Sequence, residues 1–344
     1  MKYKILSVNT PGFQFNIGDY IQALASAQFL PTFDGFVDRE HLDSYSGEET
    51  KVIMNGWYMH HPENWPPSSM INPLFVAFHI NKYTQGKMLS DKGVDYLRKH
   101  EPIGCRDYYT VSLLKEKGIE AYFSGCMTLT LGEKYANTKK EDKCYFVDPL
   151  LCIKWNKLKS LINLLLYMFF YKKDIDVLSS KFDIGVMGIR KKIRLVSFYK
   201  EYMKFFTRDT IINAEYICHV GDDYRNSLES DENCLSEAEN LVKKYASAKL
   251  VVTSRIHCAL PCLGIGTPVV YIDNYSHDDI SSCRMAGLKD LFNIILTWKD
   301  NKLISNVNIP EKYSIKNVPK NTQDWKKLAD NLMKRIHDFL NTEK

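Results

Sequence analysis

The sequence predicts an α/β protein of two doubly wound, Rossmann-like domains facing a shared cleft. Three observations carry this expectation. The chain has 344 residues, beyond the size at which one hydrophobic core stops growing, so two domains are expected. Short apolar runs alternate with helix-period stretches in both halves, the pattern of a parallel sheet covered by helices. A polar stretch, Glu133 to Asp142, interrupts the alternation near the middle and marks a boundary. The expected division is 1–140, 141–322 and a last segment, 323–344, packed across the junction.

Lys2 to Val8 reads as the first strand, and Ile17 to Leu30, apolar at helical spacing, as the first helix. Further strands are expected at Val52 to Met54, Leu74 to Ile80, Pro102 to Cys105 and Ala121 to Phe123, with helices near Asp91 to Lys99 and Thr110 to Lys117. In the second half the strand candidates are Cys144 to Val147, Glu215 to Val220, Leu250 to Thr253 and Val269 to Ile272. Helices are expected at Leu235 to Ala246 and Ile256 to Leu263, and an amphipathic one at Trp325 to Leu340. In such folds ligands bind outside the carboxyl ends of the strands, so functional residues are sought just after strands.

Apolar residues at 45% and charged residues at 25% describe a folded globular protein. A net charge of +5 falls short of a nucleic-acid-binding stripe and suits small anions or an anionic membrane surface. Nine dispersed cysteines, without a CxxC pair or zinc-type spacing, fit a reducing compartment, and no metal site is expected. The opening MKYKILSVNT lacks the layout of a secretory signal, so the cytoplasm is the expected location. Leu161 to Tyr171 is almost wholly apolar, too short to span a bilayer and flanked by lysines. Two readings of it stand: a buried core helix, or peripheral contact at the inner face of the cytoplasmic membrane.

The strongest local signal is Ala248 to Ile272, AKLVVTSRIHCALPCLGIGTPVVYI. An apolar strand ends in Thr253, Ser254 and Arg255, and a helix opens with Ile256 and His257. Hydroxyls, a guanidinium and an imidazole thus gather at a helix amino end, where free N–H groups and the dipole favour an anion. The plainer alternative makes Thr253 or Ser254 an ordinary N-cap and Arg255 a surface residue.

This run resembles the carboxyl-terminal motif of the polysaccharide pyruvyl transferase family. Asn16-Ile17-Gly18-Asp19 is similar to the family's amino-terminal motif, and Ile103-Gly104-Cys105-Arg106-Asp107 with Thr110 to its central arginine motif. Phe123-Ser124-Gly125-Cys126 with Thr128 to Leu131 resembles the segment that follows. The motifs run in the family's order from Asn16 to Ile272, and the resemblance stops between Leu151 and Asn213. It implies a two-domain fold similar to the GT-B glycosyltransferases. It also implies transfer of the enolpyruvyl unit of phosphoenolpyruvate, a donor substrate needing no further cofactor. The acceptor implied is a sugar, in a bacterial surface polysaccharide or its lipid-linked precursor.

On that reading Arg255 and Arg106, one per domain, hold the donor, with Ser254, Thr253, Gly18, Asn16, Ser124 and Gly125 around it. His257 is either the general acid that protonates the methylene carbon or an anion ligand only. Asp19 is either the base for the attacking hydroxyl or a helix cap, and Arg106 has the alternative of pairing with Asp107. Asn55, Trp57, Trp65 and His79, with His219 opposite, are the acceptor candidates, against ordinary packing of the same residues. The competing enzyme class is a nucleotide-sugar-dependent glycosyltransferase of the same architecture.

Overall fold

The computed structural model describes residues 1–151, 165–185, 187–274, 283–300 and 302–342. The first sheet contains β1 (Lys2–Ser7), β2 (Phe36–Asp38), β3 (Thr50–Tyr58), β4 (Ile71–Ile80), β5 (Ile103–Cys105) and β6 (Ala121–Phe123). The second contains β7 (Glu141–Val147), β8 (Glu215–Ile217), β9 (Ala248–Thr253), β10 (Val269–Asn274), β11 (Ile295–Lys299) and β12 (Lys302–Ser305). All pairings are parallel except the terminal hairpin of β11 with β12. The two sheets share one strand order: β2-β1-β3-β4-β5-β6 in the first and, read from its other edge, β8-β7-β9-β10-β11-β12 in the second. Each therefore reverses direction once, between β1 and β3 and between β7 and β9. Such switch points are where doubly wound sheets open a crevice for ligands.

Five helices frame that crevice: α1 (Ile17–Ala27), α2 (Tyr108–Glu116), α3 (Asp231–Ser247), α4 (Ile256–Gly264) and α5 (Trp325–Asn341). The buried face of α1, with Tyr20, Ile21 and Leu24, shares a core with Leu241 and Tyr245 of α3 and Leu260 and Leu263 of α4. The halves are thus joined by a common apolar core rather than by a bare linker. Polar ties reinforce it: Ile17 N–H donates to the His219 carbonyl at 2.9 Å, and Ser7 Oγ to Asp231 Oδ1 at 3.0 Å. Helix α5 rests on both halves: Leu328 packs near Gly125, and Leu332 and Ile336 join the shared core.

The strands read from apolar runs are all present, mostly longer than expected. Three others, β2, β11 and β12, were not marked: β2 and β12 are short, and β11 was overlooked although it lies in the apolar run Ile294 to Trp298. Two helices not anticipated, Lys172–Lys181 and Gly188–Tyr202, occupy the connection from β7 to β8. Of the apolar run 161–171, residues 161–164 lie outside the described residues, as does Cys152. No helix among the described residues is long and apolar enough to cross a membrane.

Candidate active site

A cavity of about 280 Å³ opens where the two switch points meet. Asn16 and Asp19 enter it from the start of α1, Trp57 and His60 from the end of β3, and Arg106 from the end of β5. Ser254, Arg255 and His257 enter from the turn between β9 and α4, with His219 and Tyr271 beyond β8 and on β10. Arg284, Met285 and Leu288 close the mouth.

At the start of α1 the helix cap and the charged group are separate residues. Asn16 Oδ1 accepts from Gly18 N–H at 3.0 Å, which leaves the Asp19 carboxylate uncommitted to capping. Asp19 accepts instead from Gln22 Nε2 at 3.2 Å and stands 3.8 Å from His257 Nδ1. Burial raises its pKa, against the lowering pull of Arg39, Arg106 and Arg284. Gly18 lets α1 approach α4 closely: a Cβ there would sit 3.0 Å from His257 Cβ.

The same division of labour holds at α2. Asp107 is the N-cap, accepting from Thr110 N–H at 2.9 Å, while its other oxygen lies 2.6 Å from His79 Nδ1. Asp107 is therefore fully occupied, and its contact with Arg106 is a long 3.9 Å. Arg106 is only 3% exposed, and its Nε has no hydrogen-bond partner among the described residues. An ion pair does not account for this arginine; a cavity ligand would.

At α4 the N-cap is Arg255, and neither Thr253 nor Ser254 caps the helix. Thr253 Oγ1 accepts from Arg255 N–H at 2.9 Å, and Ser254 Oγ donates to the Asp148 carbonyl at 2.6 Å, so both hydroxyls shape the turn. Arg255 Nε donates to Asp148 Oδ2 at 2.7 Å. His257, in the first turn, is buried and its Nε2 lacks a partner among the described residues. Burial first, then Arg106 and Arg284, hold its pKa well below the usual histidine range, so the imidazole is neutral near pH 7.

The expected acceptor residues divide sharply. Trp57 lines the cavity, with the Arg39 guanidinium 5.0 Å from its ring and His60 at 4.5 Å. His219 lines it too, its Nε2 2.6 Å from Tyr245 Oη and its pKa pushed down to about 4 by burial. Trp65 is packed among Tyr58, Phe78 and Tyr96 in the core of the first half. His79 is tied to Asp107 and Thr110, and Asn55 to Ser26 Oγ and the Gln22 carbonyl. None of these three lines the cavity, although Asn55 borders a smaller pocket beside it with Asp19 and Trp57. Among the donor candidates, Ser124 bonds the Cys105 carbonyl and Ala77 N–H, and Gly125 packs under Leu328; both serve as structure behind Arg106.

Sequence reasoning missed Arg284, Tyr271 and Asp148. Arg284 adds a third guanidinium, and its pKa is lowered by burial and then by Arg106. Asp148 directly follows β7, so the after-strand rule could have found it. Among the described residues no cluster of His, Cys, Asp and Glu could hold a metal ion.

Two like-ordered α/β sheets meet at their switch points, where three arginines, one carboxylate and three histidines line a single cavity. Residues 16–277 match the family model described as polysaccharide pyruvyl transferase, well over half of the chain, and the protein belongs to that family of enzymes. No curated protein matches it. Among solved structures it is similar to an uncharacterised Klebsiella pneumoniae protein at 13% identity and TM-score 0.42, covering 85% of this chain and 89% of that one. It also resembles Escherichia coli heptosyltransferase WaaC, solved with ADP-2-deoxy-2-fluoro heptose, at 9% identity and TM-score 0.31, covering 98% and 99%. Neither likeness is close enough to bear on function.

Proposed function

We propose that the protein transfers the enolpyruvyl unit of phosphoenolpyruvate onto two hydroxyls of one sugar, forming a pyruvate ketal and releasing phosphate. The acceptor is a bacterial surface polysaccharide or its lipid-linked precursor. The observation that carries the reading is the set of three buried nitrogens, Arg106 Nε, His219 Nδ1 and His257 Nε2, that have no hydrogen-bond partner among the described residues and line a cavity that also takes Arg255 and Arg284. A donor bearing both phosphate and carboxylate supplies the anionic oxygens that such a site lacks. Family membership supports pyruvyl transfer over sugar transfer from a nucleotide.

In this reading Arg106 and Arg255 bind the donor from opposite halves, and its negative charge offsets the field that keeps His257 neutral. The imidazole then takes up a proton and delivers it to the methylene carbon, whose double-bond electrons form the new C–H bond. The first sugar hydroxyl attacks the cationic carbon so formed and gives its proton to Asp19, whose raised pKa makes it a better base than a surface carboxylate. Phosphate departs with the C–O electrons, leaving the carbon cationic again; the second hydroxyl attacks it to close the ketal, and its proton leaves on the released phosphate. Trp57 and His60 form the sugar-facing wall.

The test is phosphate release from phosphoenolpyruvate in the presence of lipid-linked bacterial glycans. Arg106→Ala and His257→Ala are each expected to lower it at least ~100-fold with the circular dichroism of the fold retained. Undiminished release in both overturns the assignment. So does calorimetry showing tight binding of a nucleotide sugar and none of phosphoenolpyruvate.

A further inference from the structure

We infer that the helical pair between β7 and β8 is a docking surface for an anionic lipid bilayer. It lies in the stretch outside the family motifs, and the inference does not depend on which reaction the cavity performs. Residues 165–170 are helical and lead into the helix Lys172–Lys181, which packs beside the helix Gly188–Tyr202. Lys192 Nζ meets Asp176 Oδ1 at 2.6 Å, and the rings of Tyr171 and Tyr199 are 5.5 Å apart, so the two helices lie side by side. Their inner faces are well buried through Ile175, Leu178, Leu195, Val196 and Tyr199.

The outer residues are apolar where a soluble surface would be polar. Phe169 is 78% exposed, Phe170 75% and Met187 88%, with Leu166 and Ile189 also more than half exposed. Two adjacent exposed phenylalanines cost solubility and contribute nothing to the core, whereas they insert well into a headgroup boundary. The charge around them is one-sided. Residues 165–194 contain seven Lys and Arg against three Asp. Of those acids, Asp174 is buried against Arg208 and Tyr199, and Asp176 is neutralised by Lys192. Lys172, Lys173, Arg190 and Arg194 are exposed, as is the third acid, Asp183. Exposed apolar side chains on helices that also carry exposed cations, without an ion-pair partner among the described residues, match the surface of a bilayer containing anionic lipid. A neutral protein partner would leave those cations unanswered.

The experiment is cosedimentation of the full chain with vesicles of phosphatidylcholine alone and of phosphatidylcholine with about 30% phosphatidylglycerol, the charge density of an ordinary anionic leaflet. Binding to the anionic vesicles is expected, weakened by salt and lowered at least ~10-fold in a double variant, Phe169→Glu with Phe170→Glu. The positions are exposed, so the double variant should keep its melting temperature and its phosphate release from phosphoenolpyruvate with soluble acceptor. The inference is overturned by absence of binding to anionic vesicles, by equal binding to neutral ones, or by undiminished binding of the double variant. A homodimer in sedimentation equilibrium that the double variant dissociates would also overturn it, by assigning the patch to a second copy.

Discussion

Asp148 holds Arg255 from the neighbouring strand: Oδ2 accepts from the arginine Nε at 2.7 Å and from His219 N–H at 2.9 Å. Asp148 has φ +43, and its carbonyl accepts from Ser254 Oγ. One residue at the switch point of the second sheet thus fixes both sides of the β9–α4 turn. The guanidinium edge that faces Asp148 is spent on orientation, leaving the terminal nitrogens for a ligand.

This relationship predicts the phenotype of Asp148→Ala. Arg255 would keep its charge and lose its fixed direction, so the KM for phosphoenolpyruvate should rise about tenfold while kcat changes less. Steady-state phosphate release at varied donor concentration checks it. A kcat loss with unchanged KM would mean that Asp148 acts on the reacting atoms instead.

The charges around His257 predict a second outcome. Arg106 and Arg284 both push the imidazole pKa down, and burial pushes it furthest. In Arg106→Met the burial persists while one like charge is gone, so the folded-state pKa should move up toward, without reaching, the ordinary 6.5. Histidine ring signals in NMR spectra across pH 4 to 8, roughly the range in which histidines titrate, would follow the change. Adding phosphoenolpyruvate to the unaltered protein should move His257 in the same direction.

The site was legible where charged or polar side chains directly follow apolar strands. Arg106 and His257 could be found because β5 and β9 announce themselves and the crevice lies at their carboxyl ends, whereas Asp19, well past β1, was marked by the resemblance of Asn16-Ile17-Gly18-Asp19 to a family motif. Arg284 lies well past the end of β10, and nothing in its neighbours Cys283 and Met285 marks it. The acceptor candidates show the opposite failure. His79 and Trp65 have suitable chemistry, yet a sequence does not say which polar partner a side chain will find, and Asp107 claims His79 inside the fold. For the fold itself, β12 was missed because Lys302 to Ser305 is short with only Leu303 and Ile304 apolar, whereas β11 was overlooked although Ile294 to Trp298 is an apolar run. The helices between β7 and β8 were missed because their lysines and aspartates mask a narrow apolar face.

His219 predicts a particular acid limb of stability. Its pKa is about 4 in the folded protein against 6.5 for an ordinary histidine. The folded state therefore stays unprotonated while the unfolded chain takes up a proton, and stability falls as pH drops from 6.5 to about 4. The contribution is fully present above that window and exhausted below it. One such group gives a slope of about 1.4 kcal/mol per pH unit. Chemical denaturation of His219→Gln between these limits should show a slope smaller by that amount, with His257 supplying part of what remains. An unchanged slope would mean that His219 titrates normally.

Lys51 ties the end of the chain to the first sheet. It is buried on β3, and its Nζ reaches the carbonyls of Phe339, Leu340 and Thr342 at 2.7, 3.2 and 2.8 Å. These groups belong to the end of α5, where carbonyls lack intrahelical donors and the dipole is negative, so an ammonium satisfies both needs together. Lys51→Met keeps the length of the side chain and removes every one of those bonds. The Leu340 carbonyl, the buried one of the three, would lose this donor, a cost of about 1 to 3 kcal/mol. Because α5 shares the core that joins the halves, the loss should appear in global denaturation and not only as fraying of the last turn. Hydrogen exchange distinguishes the two: faster exchange confined to residues 338–342 would mean that Lys51 caps a helix without holding the protein together.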